Sequence, residues 1–181
     1  HSKLGRSSSS RPDINTAAGE FELATRANPT QAVAYYNLAV TYQRLADAET
    51  PKITELEDTT GTKVGRDVTQ ATGETKLAQE YRVRSLAAAD KVLALSSPTE
   101  ANYVKALRLA GEDLIALHRE DEAAQRFKRL IDEDPASYKV IEDIGTTELD
   151  EKNYKAAAEF LKLAAKAREK VGAPDAKVYY N

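Results

Sequence analysis

The residues that could carry chemistry are few, and their spacing is wrong for it. Gly61, Thr62, Lys63, Val64 and Gly65 have the glycines and lysine of a phosphate-cradling loop. The order of a glycine, four residues and then Gly-Lys-Ser/Thr is absent, so the backbone amides and the lysine would not converge on one phosphate. Glu55, Glu57, Asp58 and Asp67 offer carboxylates, but without the alternating spacing and closing glutamate of a calcium loop. His118 is the one histidine besides His1, and there is no cysteine. A zinc site or a base-activated nucleophile therefore lacks most of its parts. Asp132, Glu133 and Asp134, just before Pro135, read as the solvated end of a helix. No acid, base, nucleophile or metal ligand converges with another, so the chain is not expected to be an enzyme, and no cofactor or metal is expected.

The elements that hold these residues are helical. In 181 residues, Leu and Ala are abundant, Trp and Cys are absent and charges of both signs are interspersed, the composition of a soluble helical protein. The balance of 26 basic against 29 acidic residues speaks against a nucleic-acid binder, because no basic run interleaves with aromatics. No apolar run approaches the roughly 20 residues that span a bilayer, so no membrane insertion is expected. Cytoplasmic and periplasmic or other extracytoplasmic locations both stay open, since lack of cysteine decides neither. The chain begins at His1 and contains no methionine, and it reads as a fragment whose upstream segments, if any, are unseen.

One pattern is written twice between Lys105 and Ala164. Gly111, Ala123 and Phe127 recur as Gly145, Ala157 and Leu161, each pair 34 residues apart. Antiparallel helices cross closely only where a small side chain sits at the contact, and a large neighbour then fills the adjoining space. Leu107, Ala110, Gly111, Leu114, Ala123, Phe127 and Pro135 fall in the order of the tetratricopeptide (TPR) pattern. The chain thus resembles a TPR protein over most of its length. The resemblance implies an all-α fold, a right-handed α-solenoid of antiparallel helix pairs, with an irregular insertion in one repeat.

The boundaries follow from the same pattern. Residues 1–12, with Ser7 to Ser10, read as a flexible polar lead-in to a TPR-like domain over 13–181. An orphan second helix is expected over 13–28, capped by Asp13 and carrying Ala17, Phe21 and Ala24. A first repeat over 32–97 places Tyr35, Leu38, Tyr42 and Leu45 on a core stripe. It is interrupted at about 50–75, where Pro51, Gly61, Gly65 and Gly73 favour irregular chain. Helical period returns from Lys76 through Leu93. A second repeat covers 98–135, with Ser97 or Thr99 as cap, and a third covers 137–171. In the third, Tyr154, Ala157, Leu161 and Ala164 fall on the second helix, and Glu148 stands at an aromatic position of the first, so Leu149 is expected to supply the missing bulk. Residues 176–181 echo 32–37, and 174–181 read as the start of a further repeat, from which a longer native protein is expected.

In TPR proteins the first helix of each pair lines a concave groove. Carried onto this chain, the resemblance implies partner contacts from Tyr36, Asn37, Val40 and Arg44, from Lys105, Arg108 and Glu112, and from Lys139 and Glu142. The two-carboxylate clamp of the chaperone-binding subclass is incomplete. Asn37 and Lys139 match it, but Val33, Leu109 and Asp143 stand at its other positions, and Asp143 would repel a carboxylate. The expected function is a protein-interaction module that takes a peptide or helix with apolar anchors and charges of both signs. The alternative is an assembly element that self-associates through open repeat ends or docks within a larger protein.

Overall fold

The structure, a computed structural model, describes residues 11–50 and 75–172. The lead-in, most of the 50–75 insertion with Gly61 to Gly65 and its carboxylates, and the 174–181 segment lie outside the described residues. Within them there are seven α-helices and no strand: α1 (Arg11–Ala27), α2 (Ala32–Glu49), α3 (Lys76–Leu95), α4 (Ala101–Ala116), α5 (Glu120–Glu133), α6 (Tyr138–Asp150) and α7 (Tyr154–Lys170). A short 3-10 turn, Pro135–Ser137, leads directly into α6.

Helix starts show where local chemistry overrides the simplest reading. Asp13 is not the cap of α1; the helix begins at Arg11, and Asp13 sits in its first turn, where a carboxylate favours the positive end of the helix dipole. Neither Ser97 nor Thr99 caps α4, which begins at Ala101 with Glu100 as its N-cap. Instead the Ser97 amide donates to the Glu100 carboxylate at 2.8 Å, tying down the turn before the helix. α3 is capped by Thr75, whose hydroxyl accepts from the Ala78 amide at 3.1 Å.

Successive helices pack on one another: α1 on α2, α2 on α3, α3 on α4, α4 on α5 and α6 on α7. The two glycines set the crossings. A Cβ on Gly111 would lie 2.3 Å from the Phe127 ring, and one on Gly145 would lie 2.9 Å from Leu161 Cγ. Both second helices therefore approach their first helices at a spot only glycine leaves open.

The turn inside each pair repeats as faithfully. His118 and Lys152, 34 residues apart, have φ of 55° and 66°. The amide after each reaches back over the helix end, Arg119 N to Leu114 O and Asn153 N to Glu148 O, both at 2.8 Å. This is a Schellman closure with its left-handed residue, and neither position is glycine.

The third pair departs from the pattern. α5 packs on α7 and on the 3-10 turn, while α6 makes its main contact with α7. Two consecutive large residues on α7 explain this. Leu161 faces Gly145 of its own pair, and Phe160, fully buried, meets Phe127 of α5 edge-on with ring centroids 5.5 Å apart. One expectation fails here: Leu149 is 46% exposed and supplies no bulk to the core. The Glu148 side chain is instead buried and accepts from Asn153 Nδ2 at 2.8 Å. Burial raises the pKa of Glu148, and the Asn153 hydrogen bond opposes the rise.

Candidate functional site

α2 and α4, the first helices of the first two pairs, lie side by side and leave an open cleft of about 480 Å³ between them. Its walls come from helical arithmetic. Tyr36, Val40 and Arg44 recur at intervals of four on α2, and Lys105, Arg108 and Glu112 at intervals of three and four on α4, so each trio shares one face. Leu109 forms part of the floor and is itself buried. Gln43 and Asp47 complete the lining from α2.

Six of the nine residues named from the sequence thus meet in one place. The other three do not line the cleft. Asn37 is half-buried on α2, and its carbonyl accepts from Thr41 Oγ1 at 2.7 Å. Lys139 is exposed on α6. Glu142, also on α6, is bonded to Arg168 of α7, whose guanidinium also stacks 5.5 Å from the Tyr138 ring centroid. The shifted packing of α6 keeps the third pair out of this cleft. Leu109, Gln43 and Asp47 were missing from the expected set; Gln43 and Asp47 stand three residues from Val40 and Arg44, and that spacing was available to find them.

The charges of the cleft are unequally committed. Glu112 has both oxygens occupied, Oε1 by Arg108 Nε at 2.8 Å and Oε2 by Gln43 Nε2 at 3.2 Å. Asp47 Oδ1 accepts from Arg82 Nη2 of α3 at 2.7 Å. Arg44 is exposed, and no acidic partner pairs with it among the described residues. Lys105 Nζ stands 5.8 Å from the Tyr36 ring centroid, a cation over a ring face that fixes its place without cancelling its charge.

Behind the cleft lies a site that sequence reasoning missed. Arg82 donates through Nη1 to Asp113 Oδ1 at 3.3 Å, and the Asp113 side chain is fully buried on α4. Its Oδ2 has no hydrogen-bond partner. Ser85 stands nearby, but its single hydroxyl proton goes to the Ala39 carbonyl at 2.9 Å. Burial pushes the Asp113 carboxyl up to about 7, with Arg82 pulling it down and Glu112 adding to the rise. The signal was present. Arg82 falls on the stripe of Ala78, Ala89 and Val92, and Asp113 on that of Ala106 and Ala110, so each helix carries a charge where its neighbours are core.

Elsewhere, α5 and α7 leave a second open cleft of about 460 Å³, edged by Lys128, Lys162 and Lys166. His118 lies on the surface at its turn, 3.9 Å from Glu120. Among the described residues, no group of three or more His, Cys, Asp or Glu is placed to hold a metal. No described helix is long and apolar enough to cross a membrane.

No protein-family profile matches the chain, and no curated protein matches it. Among solved structures it is similar to one described as "Crystal structure of MamA". The identity is 14%, over 95% of this chain and 98% of that one, with a TM-score of 0.38. At that level of superposition the likeness carries no inference about this chain. The helical fold stands on the helices and contacts described above.

Proposed function

We propose that this chain is a TPR-type repeat protein, a right-handed α-solenoid without enzymatic activity, and that it binds a peptide or helix of a partner protein between α2 and α4. The observation that carries this reading is the cleft itself. Tyr36, Val40 and Leu109 give apolar contact area, while Arg44 and Lys105 offer charge at its rim. Aromatic and arginine anchors beside a desolvated floor are the residues that dominate protein-binding energies. The TPR assignment is supported by the 34-residue recurrence of the glycine crossings and of the left-handed turns.

The test is affinity capture from lysate with the parent chain beside a Tyr36→Ala, Arg44→Glu variant. A protein retained by the parent and lost by the variant supports the reading. Identical captures refute it.

A second reading, self-association at the open end of the stack, is favoured by one observation. α1 packs on α2 alone among the described helices, and its Leu23 is 63% exposed. Sedimentation of the parent against Leu23→Glu decides it, because only an interface through α1 would dissociate with that change.

A further inference from the structure

We propose that the α2/α4 cleft selects acidic segments, whose carboxylate side chains meet Arg44 and Lys105 while a neighbouring apolar residue packs on Val40 and Leu109. This rests on the reading of the cleft as a peptide site and replaces the mixed-charge ligand expected from the sequence. The reason is the internal pairing. Both carboxylates that line the cleft are already committed, Glu112 to Arg108 and Gln43, and Asp47 to Arg82. Arg108 is consumed in that pairing, so a basic ligand would find no uncommitted anion. Arg44 and Lys105 remain, one on each wall, with no acidic partner among the described residues. Tyr36 holds Lys105 over its ring face and so keeps the ammonium at the rim. The chain as a whole carries more acid than base, 29 against 26. The uncommitted cations at this cleft thus stand out from an acidic chain, and complementarity of this kind sets partner choice and association rate.

The experiment is selection from a displayed library of random peptides, run in parallel on the parent and on Tyr36→Ala. Clones specific to the parent are expected to be enriched in Asp and Glu beside an apolar residue. Their affinity should fall by about tenfold or more in an Arg44→Glu, Lys105→Glu variant and weaken with added salt. A Lys128→Glu, Lys162→Glu control changes the same charge at the α5/α7 cleft and should leave affinity unchanged. Circular dichroism establishes that each variant keeps its helices. Parent-specific clones that are neutral or basic would overturn the acidic preference and leave the peptide site standing. An absence of parent-specific clones would overturn both. Equal loss in the Lys128→Glu, Lys162→Glu control, or an oligothymidylate that competes as tightly as the selected peptides, would also sink the inference, since either means diffuse attraction to anions.

Discussion

Arg82 holds Asp113 from one side only: a single 3.3 Å contact to Oδ1 is set against a fully buried carboxylate whose other oxygen has no partner. The same guanidinium reaches Asp47 on α2 at the shorter distance of 2.7 Å. One arginine on α3 therefore ties α2 to α4, and it serves the exposed carboxylate better than the buried one. A buried ion pair with imperfect geometry does not recover its desolvation cost.

The stability of the protein should therefore depend on pH through Asp113. Its carboxyl is pushed up to about 7 in the folded chain, against an ordinary 3.8. A raised folded value means that the native state holds the proton more tightly than the unfolded chain. The stabilisation is complete below about pH 4 and is lost as pH rises to about 7, at up to roughly 1.4 kcal/mol per pH unit. Asp113→Asn, which mimics the protonated form, should gain on the parent as pH rises from 5 to 8 in urea unfolding. A constant difference across that range would refute the assignment.

Gly111→Ala should destabilise by about 1 to 3 kcal/mol despite the better helix propensity of alanine. The new methyl would meet the Phe127 ring at 2.3 Å, and that ring is locked against Phe160. Gly145→Ala should cost less, because its closest approach is longer, 2.9 Å to Leu161 Cγ, although the Leu161 backbone nitrogen at 3.1 Å cannot turn away. Chemical denaturation of the two variants gives the order directly.

Truncating either partner of the ring contact should be expensive. Phe127→Ala and Phe160→Ala each empty a fully buried position and should cost about 3 to 5 kcal/mol. Their double variant should cost less than the sum, since each shares the edge-on contact of the other. A cost well under 1 kcal/mol for Phe127→Ala would place the core elsewhere.

His118→Gly and Lys152→Gly should stabilise, by roughly 0.5 to 1 kcal/mol each, because both positions hold a left-handed backbone that a Cβ disfavours. His118 is exposed and gives up only a 3.9 Å contact to Glu120. Melting temperatures that fall in both variants would contradict the turn geometry.

Much of this fold is legible in the amino-acid sequence. Gly111 and Gly145 announced the crossings, because a glycine inside an apolar helical stripe has a packing reason to be there. Spacing put Tyr36, Val40 and Arg44 on one face of a helix, and the resemblance to TPR proteins implied which face lines a groove. Lys139 and Glu142 could not be placed, because whether α6 reaches the cleft depends on how the third pair docks. That docking turns on Phe160, one residue from the periodic position of Leu161, and a 34-residue pattern does not reveal which of two adjacent large residues faces the neighbouring pair. Arg82 and Asp113 escaped for another reason. Each looks like an ordinary surface charge until two helices are seen to face each other.

The one-sided support of α6 has a further consequence. Among the described elements α6 packs on one helix, α7, and on the short 3-10 turn, while α3 and α4 each pack on two or more helices. Opening α6 breaks contacts with little else, so its amides should exchange hydrogen for deuterium well before those of α3 and α4. α1, which packs on α2 alone, should exchange early for the same reason, so the slowest amides should lie in α3 and α4.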